Sequence, residues 1–181
     1  MTEADFLEWA RRKDEFMRSA RSPLPASVRT HFVGLPYHPY NLDLEISTTL
    51  EPDPKREVLV MPTSNGSEAI YERVGWFAFM IDGQSQRLAG FAREGDEHPE
   101  SLFVPFKDAS SAKTTYGGGR YLEVERSGDS VIANFNFAYS PYCAYSEGWS
   151  CPIPPKENWL TTAILAGELL LESERIDGTH S

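Results

Sequence analysis

The chain has 181 residues, of which 40% are hydrophobic and 12% aromatic, so it can bury a core without a disulfide scaffold. Its formal net charge is −10, and such an acidic protein repels phosphate backbones and anionic headgroups. The charge therefore argues against nucleic acid and membranes as partners. The sequence shows no signal peptide and no apolar run long enough to cross a bilayer. We expect a cytoplasmic protein with a single domain over residues 1–172 and a flexible tail over residues 173–181.

Residues 3–21 have the pattern of an amphipathic helix. Thr2 and Asp5 have the spacing of a capping box, and acidic residues occupy the first turn. One apolar stripe recurs at helical spacing, through Phe6, Trp9, Ala10, Phe16, Met17 and Ala20. We expect this stripe to pack on the main body. The helix should end at Ser22-Pro23, because proline removes a backbone donor and restricts the residue before it.

The hydrophobic period changes to alternation in the predicted β body, residues 41–172. Short strand-like segments follow one another, at 42–46, 57–61, 68–73, 76–81, 87–92, 101–106, 119–125, 130–137 and 160–165. Asp82-Gly83 is the clearest hairpin signal. About eight to ten strands are expected from typical strand lengths and spacing. The predicted fold class is mainly β (α+β), an antiparallel β-sandwich or partly closed barrel with the N-terminal helix packed on it.

The segment from residue 114 to residue 158 has the most unusual composition in the chain. It contains three consecutive glycines, both cysteines, four prolines and most of the tyrosines. Loops of this kind carry function or hold an unusual backbone path. No nucleophile elbow, P-loop, zinc-protease or calcium-loop motif accompanies it. The sequence therefore predicts where a site lies without naming a reaction.

The candidate ligand-binding residues are polar or aromatic side chains of this segment: Tyr116, Arg120, Asn134, Asn136 and Tyr139. The glycine loop before Arg120 permits close backbone approach and could bind an anion. Alternatively, it is a tight turn whose arginine pairs with a carboxylate, with Glu157 as a candidate partner. Asn134 and Asn136 share one side of a predicted strand. They either read a polar ligand in a pocket or pin the neighbouring loop backbone.

The two cysteines leave several interpretations open. Cys143 and Cys151 in a cytoplasmic protein are expected to be thiols packed among aromatic rings. A disulfide, a zinc site completed by His31 and His38, and nucleophilic catalysis by Cys143 are the alternatives. Glu157 is the other candidate catalytic residue. No metal is predicted, and no cofactor can be named from these residues.

Several blocks of the chain resemble a known family. The blocks TYGGGRYLEVE, NFNFAYSPYCAYS and CPIPPKEN are similar to those of the DUF1684 proteins, bacterial and archaeal proteins of unknown function. ARRKDEFMRSARSPLP and LFVPFKDASSAKTTYGGGRYL extend the resemblance over most of residues 9–168. Ser140 and Ser146 stand where asparagine is expected in many relatives. The resemblance implies a family membership, and it supplies no reaction, cofactor or catalytic residue.

Three functional hypotheses follow from the sequence. The first is a small-molecule-binding β domain with its pocket between the sheet and the 138–158 loop. The second is a hydrolase-like enzyme that uses Cys143 or Glu157 at the same place. The third is a structural or interaction protein whose unusual loop closes one end of a barrel. The oligomeric state is not indicated by the sequence.

Overall fold

Two helices and seven strands are formed by residues 2–171, the part of the chain that the computed structural model describes. The predicted tail at 173–181 lies outside the described residues. The helices are α1 (Glu3–Arg18) and α2 (Ala26–Arg29). The strands are β1 (Glu45–Pro52), β2 (Val58–Pro62), β3 (Glu68–Ile81), β4 (Gln84–Arg93), β5 (Ser101–Phe106), β6 (Arg120–Ser127) and β7 (Ser130–Asn134).

The strands form one antiparallel sheet that closes into a six-stranded barrel. Their order is β1-β7-β6-β5-β4-β3, and β1 pairs again with β3 where Leu50 lies opposite Phe77. Strand β2 pairs with the far end of β3 and stays outside the ring. The predicted mainly β fold with an N-terminal helix is thus confirmed, in its barrel form. The Asp82-Gly83 hairpin is confirmed as well, since both residues have positive φ and Ile81 pairs with Gln84.

The barrel interior is filled by the inward side chains of alternating strands. On β5, Leu102, Val104 and Phe106 are completely buried, whereas Phe103 between them points outward. The same alternation on β4 divides the buried residues between two clusters. Leu88 belongs to the barrel core, and its neighbour Ala89 joins a smaller cluster on the outer face. The outer face of the barrel therefore has a core of its own.

Helix α1 packs through the predicted stripe on segments that flank the strands, where Phe6 contacts Tyr37 and Phe137. The Thr2–Asp5 capping box is present, and Phe6 and Met17 are buried. Lys13 forms an ion pair with Glu168, whose carboxylate is excluded from solvent. The helix ends at Arg18 rather than at residue 21, because Ser19 already has an extended backbone.

The predicted strands at 68–73 and 76–81 are one continuous strand, β3. A bulge between Arg73 and Gly75 shifts the register there. The expected break is therefore a change of twist within one strand. Gly75 is required at this point, because a Cβ atom would lie 2.3 Å from the carbonyl oxygen of Glu51 on β1.

Three other strand predictions were wrong in their bounds or type. Residues Leu42–Leu44 form a 3-10 helix, and β1 begins at Glu45. Strand β7 ends at Asn134, where Phe135–Phe137 turns into a second 3-10 helix. Residues 160–165 form no strand, and the described residues contain seven strands instead of eight to ten.

Candidate functional site

Arg120 lies inside the barrel. Its side chain is 1% exposed and forms an ion pair with equally buried Asp108, at 2.7 Å from Nη2 to Oδ2. The guanidinium also donates to the carbonyl oxygens of Ile164 (2.9 Å) and Ala166. Burial lowers the pKa of Arg120, and Asp108 opposes that shift. These contacts fix the 160–166 segment to the barrel, which explains why that segment forms no strand ladder.

The predicted pairing of Arg120 with Glu157 is not formed. The Glu157 carboxylate instead accepts hydrogen bonds from Arg73 (3.0 Å) and from the indole of Trp76 (3.1 Å). Both of those partners lie on β3, on the outer surface of the barrel. Arg120 and Glu157 are therefore separated by the barrel wall, which a sequence alone does not reveal.

Asn134 and Asn136 tie two chain segments together. Both are 1% exposed, and the Oδ1 atom of Asn134 accepts from the backbone N–H of Asn136 at 3.1 Å. Asn136 bonds both backbone groups of Asn41, each at 2.8 Å. The two amides thus hold the end of β7 against the approach to β1. This geometry agrees with the backbone-pinning interpretation.

Asn158 has a comparable role between other strands. It is completely buried, and its Oδ1 atom accepts from the backbone N–H of Ala89 at 2.7 Å. Its Nδ2 atom donates to the carbonyl oxygens of Ala89 and Pro105, at 2.9 and 2.8 Å. One side chain therefore clamps β4 and β5 together. Its position after Pro154-Pro155 was visible in the sequence, but its partners were not.

A cleft of about 410 Å³ lies on the outer face of the barrel, against the 138–158 loop. It is lined mainly by outward residues of β3 to β6 and by that loop: Tyr71, Phe91, Ala92, Arg93, Asp96, Ser101, Phe103, Tyr121, Glu123, Tyr139 and Pro152. Strand register places the rings together, because Phe103 lies opposite both Phe91 and Glu123. The cleft is therefore built by the outward half of the alternation that fills the barrel.

Four aromatic rings form the wall of this cleft. Tyr71 stacks on Phe103 with ring centroids 5.2 Å apart, and Phe103 meets Tyr121 edge-on at 4.8 Å. Tyr121 in turn meets Tyr139 edge-on at 5.8 Å. Tyr71, Phe103 and Tyr139 are only partly buried, so ring surface faces the cleft. Such a wall can bind a flat apolar group or an organic cation.

Polar groups are placed at the rim of the same cleft. The Tyr139 hydroxyl donates to Glu123 at 3.2 Å, and the Tyr121 hydroxyl donates to the carbonyl oxygen of Pro152 at 2.6 Å. Burial, followed by the Glu123 charge, raises the pKa of Tyr139. Burial also raises the pKa of Tyr71, which Arg93 opposes. These phenols are therefore neutral hydrogen-bonding groups at physiological pH.

A second cavity of about 170 Å³ adjoins the cleft, and Tyr121 and Pro152 line both. It contains the side chains of Tyr116, Cys143 and Cys151. The Tyr116 hydroxyl lies 3.5 Å from the Cys143 carbonyl oxygen and 3.7 Å from its Sγ atom. Burial and the neighbouring Cys143 raise the pKa of Tyr116 to about 12.

Comparison with known proteins gives the chain a family. Residues 30–169 match the family model described as "Protein of unknown function (DUF1684)". The chain belongs to the DUF1684 family. The suspected family is thereby confirmed, and helix α1 precedes the matched residues. No curated protein matches this DUF1684 protein.

A solved structure similar to this DUF1684 protein is the NMR structure of an uncharacterized protein from Haloarcula marismortui, gene locus rrnAC0354. The two chains are 38% identical, with a TM-score of 0.72. The similarity covers 92% of this chain and 93% of the other. The shared architecture therefore includes nearly the whole barrel and its surrounding segments.

The sequence-predicted site residues fall into two groups. Tyr139 lines the aromatic cleft, and Tyr116 and Cys143 line the second cavity. Arg120, Asn134 and Asn136 are buried and line neither, as stated above. The sequence analysis missed the rings contributed by Tyr71, Phe103 and Tyr121. The available signal was outward-facing aromatic residues at alternate positions of neighbouring strands.

Residues 2–171 contain neither a grouped set of metal ligands nor a membrane-spanning helix. No three His, Cys, Asp or Glu side chains in that range are grouped as metal ligands would be. The arrangement of Cys143, Cys151, His31 and His38 is therefore not assembled. Neither α1 nor α2 is long and apolar enough to cross a membrane.

Proposed function

We propose that this DUF1684 protein binds a small organic molecule in the aromatic cleft. The observation that supports it is the wall of part-exposed rings, Tyr71, Phe103 and Tyr139, beside the Glu123 carboxylate. Its volume of about 410 Å³ suits a small ligand, and apolar walls with a few polar groups are typical of such sites. The ligand would place a flat or cationic group on the rings and a polar edge at Glu123 and Arg93.

The proposal keeps part of the predicted ligand site and gives a different role to the rest. Tyr139 would contact the ligand. Tyr116 would lie close to it, in the adjoining second cavity. The other three predicted residues hydrogen-bond within the protein. Arg120 bonds Asp108, and Asn134 and Asn136 bond backbone groups. They would support the site through the fold.

The enzyme hypothesis stays a prediction beside this proposal. Glu157 is held by Arg73 and Trp76, which favours a structural role for its carboxylate. Cys143 borders the second cavity and is the better candidate of the two. Activity that survives both Cys143→Ser and Glu157→Gln would remove that hypothesis. We also propose the cytoplasmic location, because two free thiols suit a reducing compartment; cell fractionation would test it.

Ligand-observed NMR with three probes tests binding: indole for flat rings, tetramethylammonium for organic cations and glucose for sugars. We expect saturable binding of at least one probe at millimolar concentration. Tyr71→Ala should weaken that probe by about two- to tenfold, because one aromatic contact contributes about 0.5–1.5 kcal/mol. The matched control is Ile70→Ala, since Ile70 is 51% exposed and points to the opposite side of β3.

A second pair of variants tests the contribution of charge. Glu123→Gln removes the carboxylate at the rim, and Glu125→Gln removes an exposed carboxylate two residues along the same strand. A cationic ligand should lose affinity only with the first variant. If none of the three probes binds, or if Tyr71→Ala and Ile70→Ala behave alike, the aromatic cleft is not the binding site.

A further inference from the structure

The two cysteines line the same small cavity of about 170 Å³. Both are free thiols. Cys151 is fixed to Ser64, which lies between β2 and β3. The backbone N–H of Cys151 donates to Ser64 Oγ at 3.1 Å, and its carbonyl oxygen accepts from the Ser64 N–H at 2.9 Å. Cys143 is held from the other side by Tyr116, 3.7 Å from its sulfur. The fold therefore brings together two thiols that are separated by seven residues of loop.

The two thiols differ in exposure and surroundings. Cys143 is partly exposed, whereas Cys151 is buried at 8% exposure. The Tyr116 hydroxyl can donate to a sulfur anion at Cys143. Burial raises the pKa of Cys151, so its thiol is protonated at neutral pH.

We propose that Cys143 and Cys151 form a redox-modification site that reacts with low-molecular-weight disulfides. Cys143 is the attacking thiol, because it is the more exposed of the two and has the Tyr116 hydroxyl beside it. Cys151 is the resolving thiol, because it is the buried thiol of the same cavity. Transient disulfides of this type are the ones found in reducing compartments. The site is independent of the proposed ligand binding in the aromatic cleft.

The reaction is two successive thiol–disulfide exchanges. Cys143 releases its proton to solvent, and its thiolate attacks one sulfur of the disulfide RSSR. The first RS⁻ leaves and takes up a proton, which leaves a mixed disulfide on Cys143. Cys151 then loses its proton and attacks the Cys143 sulfur, and the second RS⁻ leaves. The two protein thiols lose two electrons and two protons, and RSSR is reduced to two RSH.

Oxidation of the two cysteines should change the shape of the adjoining aromatic cleft. Pro152 follows Cys151, and its carbonyl accepts the hydroxyl of Tyr121, which lines both cavities. A new bond at Cys151 therefore acts one residue away from a cleft wall. Formation of the disulfide can therefore alter the cleft, and it needs no bound ligand to occur.

The experiment incubates the folded full chain with oxidised glutathione, blocks the remaining thiols with iodoacetamide and records the intact mass. We expect the wild type to lose two hydrogens, carry no glutathione and take up no alkyl group. Dithiothreitol should restore the original mass. Cys151→Ser should accumulate one glutathione adduct at Cys143. Cys143→Ser should react at least about tenfold more slowly than Cys151→Ser, because its remaining thiol is buried.

Tyr116→Phe sharpens the assignment, because it removes only the hydroxyl beside Cys143. The first exchange should slow severalfold, as measured from adduct formation in the Cys151→Ser background. Thermal unfolding shows whether each variant is folded, and the wild-type mass decides the proposal if a variant is not. Accumulated glutathione on the wild type, thiols that react only after denaturation, or equal rates for the two serine variants would each overturn it.

Discussion

Two regions built largely from the same strands use polar residues in opposite ways. Arg120 and Asn158 are buried among partners supplied by the protein, and their donors bond Asp108 and backbone carbonyls. Tyr139 and Glu123 lie on the outer face, where they contact each other and a cleft. The inner polar residues hold the chain, and the outer ones leave surface for a ligand. A shared, unusual composition therefore does not imply a shared role.

Strand alternation separates the two regions. Arg120 begins β6 on the inward side with Leu122, and Tyr121 points outward with Glu123. One residue of offset thus decides whether a polar side chain is an internal clamp or part of the cleft. If this comparison is correct, variants of the inner region should affect stability, and variants of the outer region should affect binding.

The largest loss of stability is expected from Arg120→Ala. It leaves the Asp108 carboxylate buried without its counter-charge, and breaking a buried pair in this way costs about 3–5 kcal/mol. Chemical denaturation measures the change in the free energy of unfolding. The control is Arg126→Ala on the same strand, whose donor bonds only the nearby Gly128 carbonyl among the contacts described. A similar loss in both variants would contradict the special role of the inner pair.

A double variant separates the ion pair from its burial. Arg120→Met with Asp108→Leu removes both charges and keeps apolar bulk, so it should recover part of the loss seen for Arg120→Ala. Recovery will be incomplete, because Arg120 also bonds the carbonyls of Ile164 and Ala166. A double variant no more stable than Arg120→Ala would show that those carbonyl contacts dominate.

Asn158→Ala should have the next largest effect on stability. It leaves the N–H of Ala89 and the carbonyl of Pro105 without the amide that now bonds them, and each unsatisfied buried group costs about 1–3 kcal/mol. The free energy of unfolding is again the measurement. Asn65→Ala is a control in an exposed turn, where water replaces the lost bonds. Equal losses for the two asparagines would contradict the clamp.

The mainly β fold was predictable from sequence, as a sandwich or a partly closed barrel, because its causes are local. Alternation and turn residues mark most strands, and Asp82-Gly83 gives the β3–β4 hairpin directly. The errors arise where a distant partner decides the conformation. Residues 160–165 alternate like a strand, but the carbonyl of Ile164, and that of Ala166 just after the segment, bond Arg120. Asn136 leaves the strand pattern because it bonds Asn41, which is 95 residues away in sequence.

The candidate site was predictable only in part for the same reason. Tyr139 and Cys143 were found because their segment has an unusual composition. Tyr71 and Phe103 come from ordinary strands, and they become part of a cleft only through the cross-strand register. Periodicity gives the face on which a residue lies. It does not give the neighbour that sits opposite.

A pH dependence is expected from His38, near the inner ion pair. Its Nε2 atom is buried without a hydrogen-bond partner among residues 2–171, and burial followed by the Arg120 charge lowers its pKa from 6.5. The unfolded chain therefore binds more protons than the native one between pH 6.5 and the lower pKa of the folded state. Stability from this group is complete above that pH and is lost as the pH falls through the folded pKa.

His38→Gln should flatten the fall in unfolding free energy between neutral pH and the folded pKa of His38. Denaturation at a series of pH values measures the slope for each protein. His31→Gln is the control, because His31 is exposed and its loss should leave the wild-type slope in place. A wild-type slope in His38→Gln would show that other groups cause the dependence.

The smallest effect on stability is expected in the outer region. Glu123 is exposed, and its contacts are the Tyr139 hydroxyl at 3.2 Å and the Ser101 hydroxyl at 3.4 Å. Substitutions at such surface positions change stability by less than about 0.5 kcal/mol. Glu123→Gln should therefore unfold like the wild type in chemical denaturation. If instead it loses as much as Asn158→Ala, the rim of the cleft is part of the scaffold. The distinction between the inner and outer polar residues would then fail, because Glu123 would be stabilising the barrel from outside as Arg120 does from within.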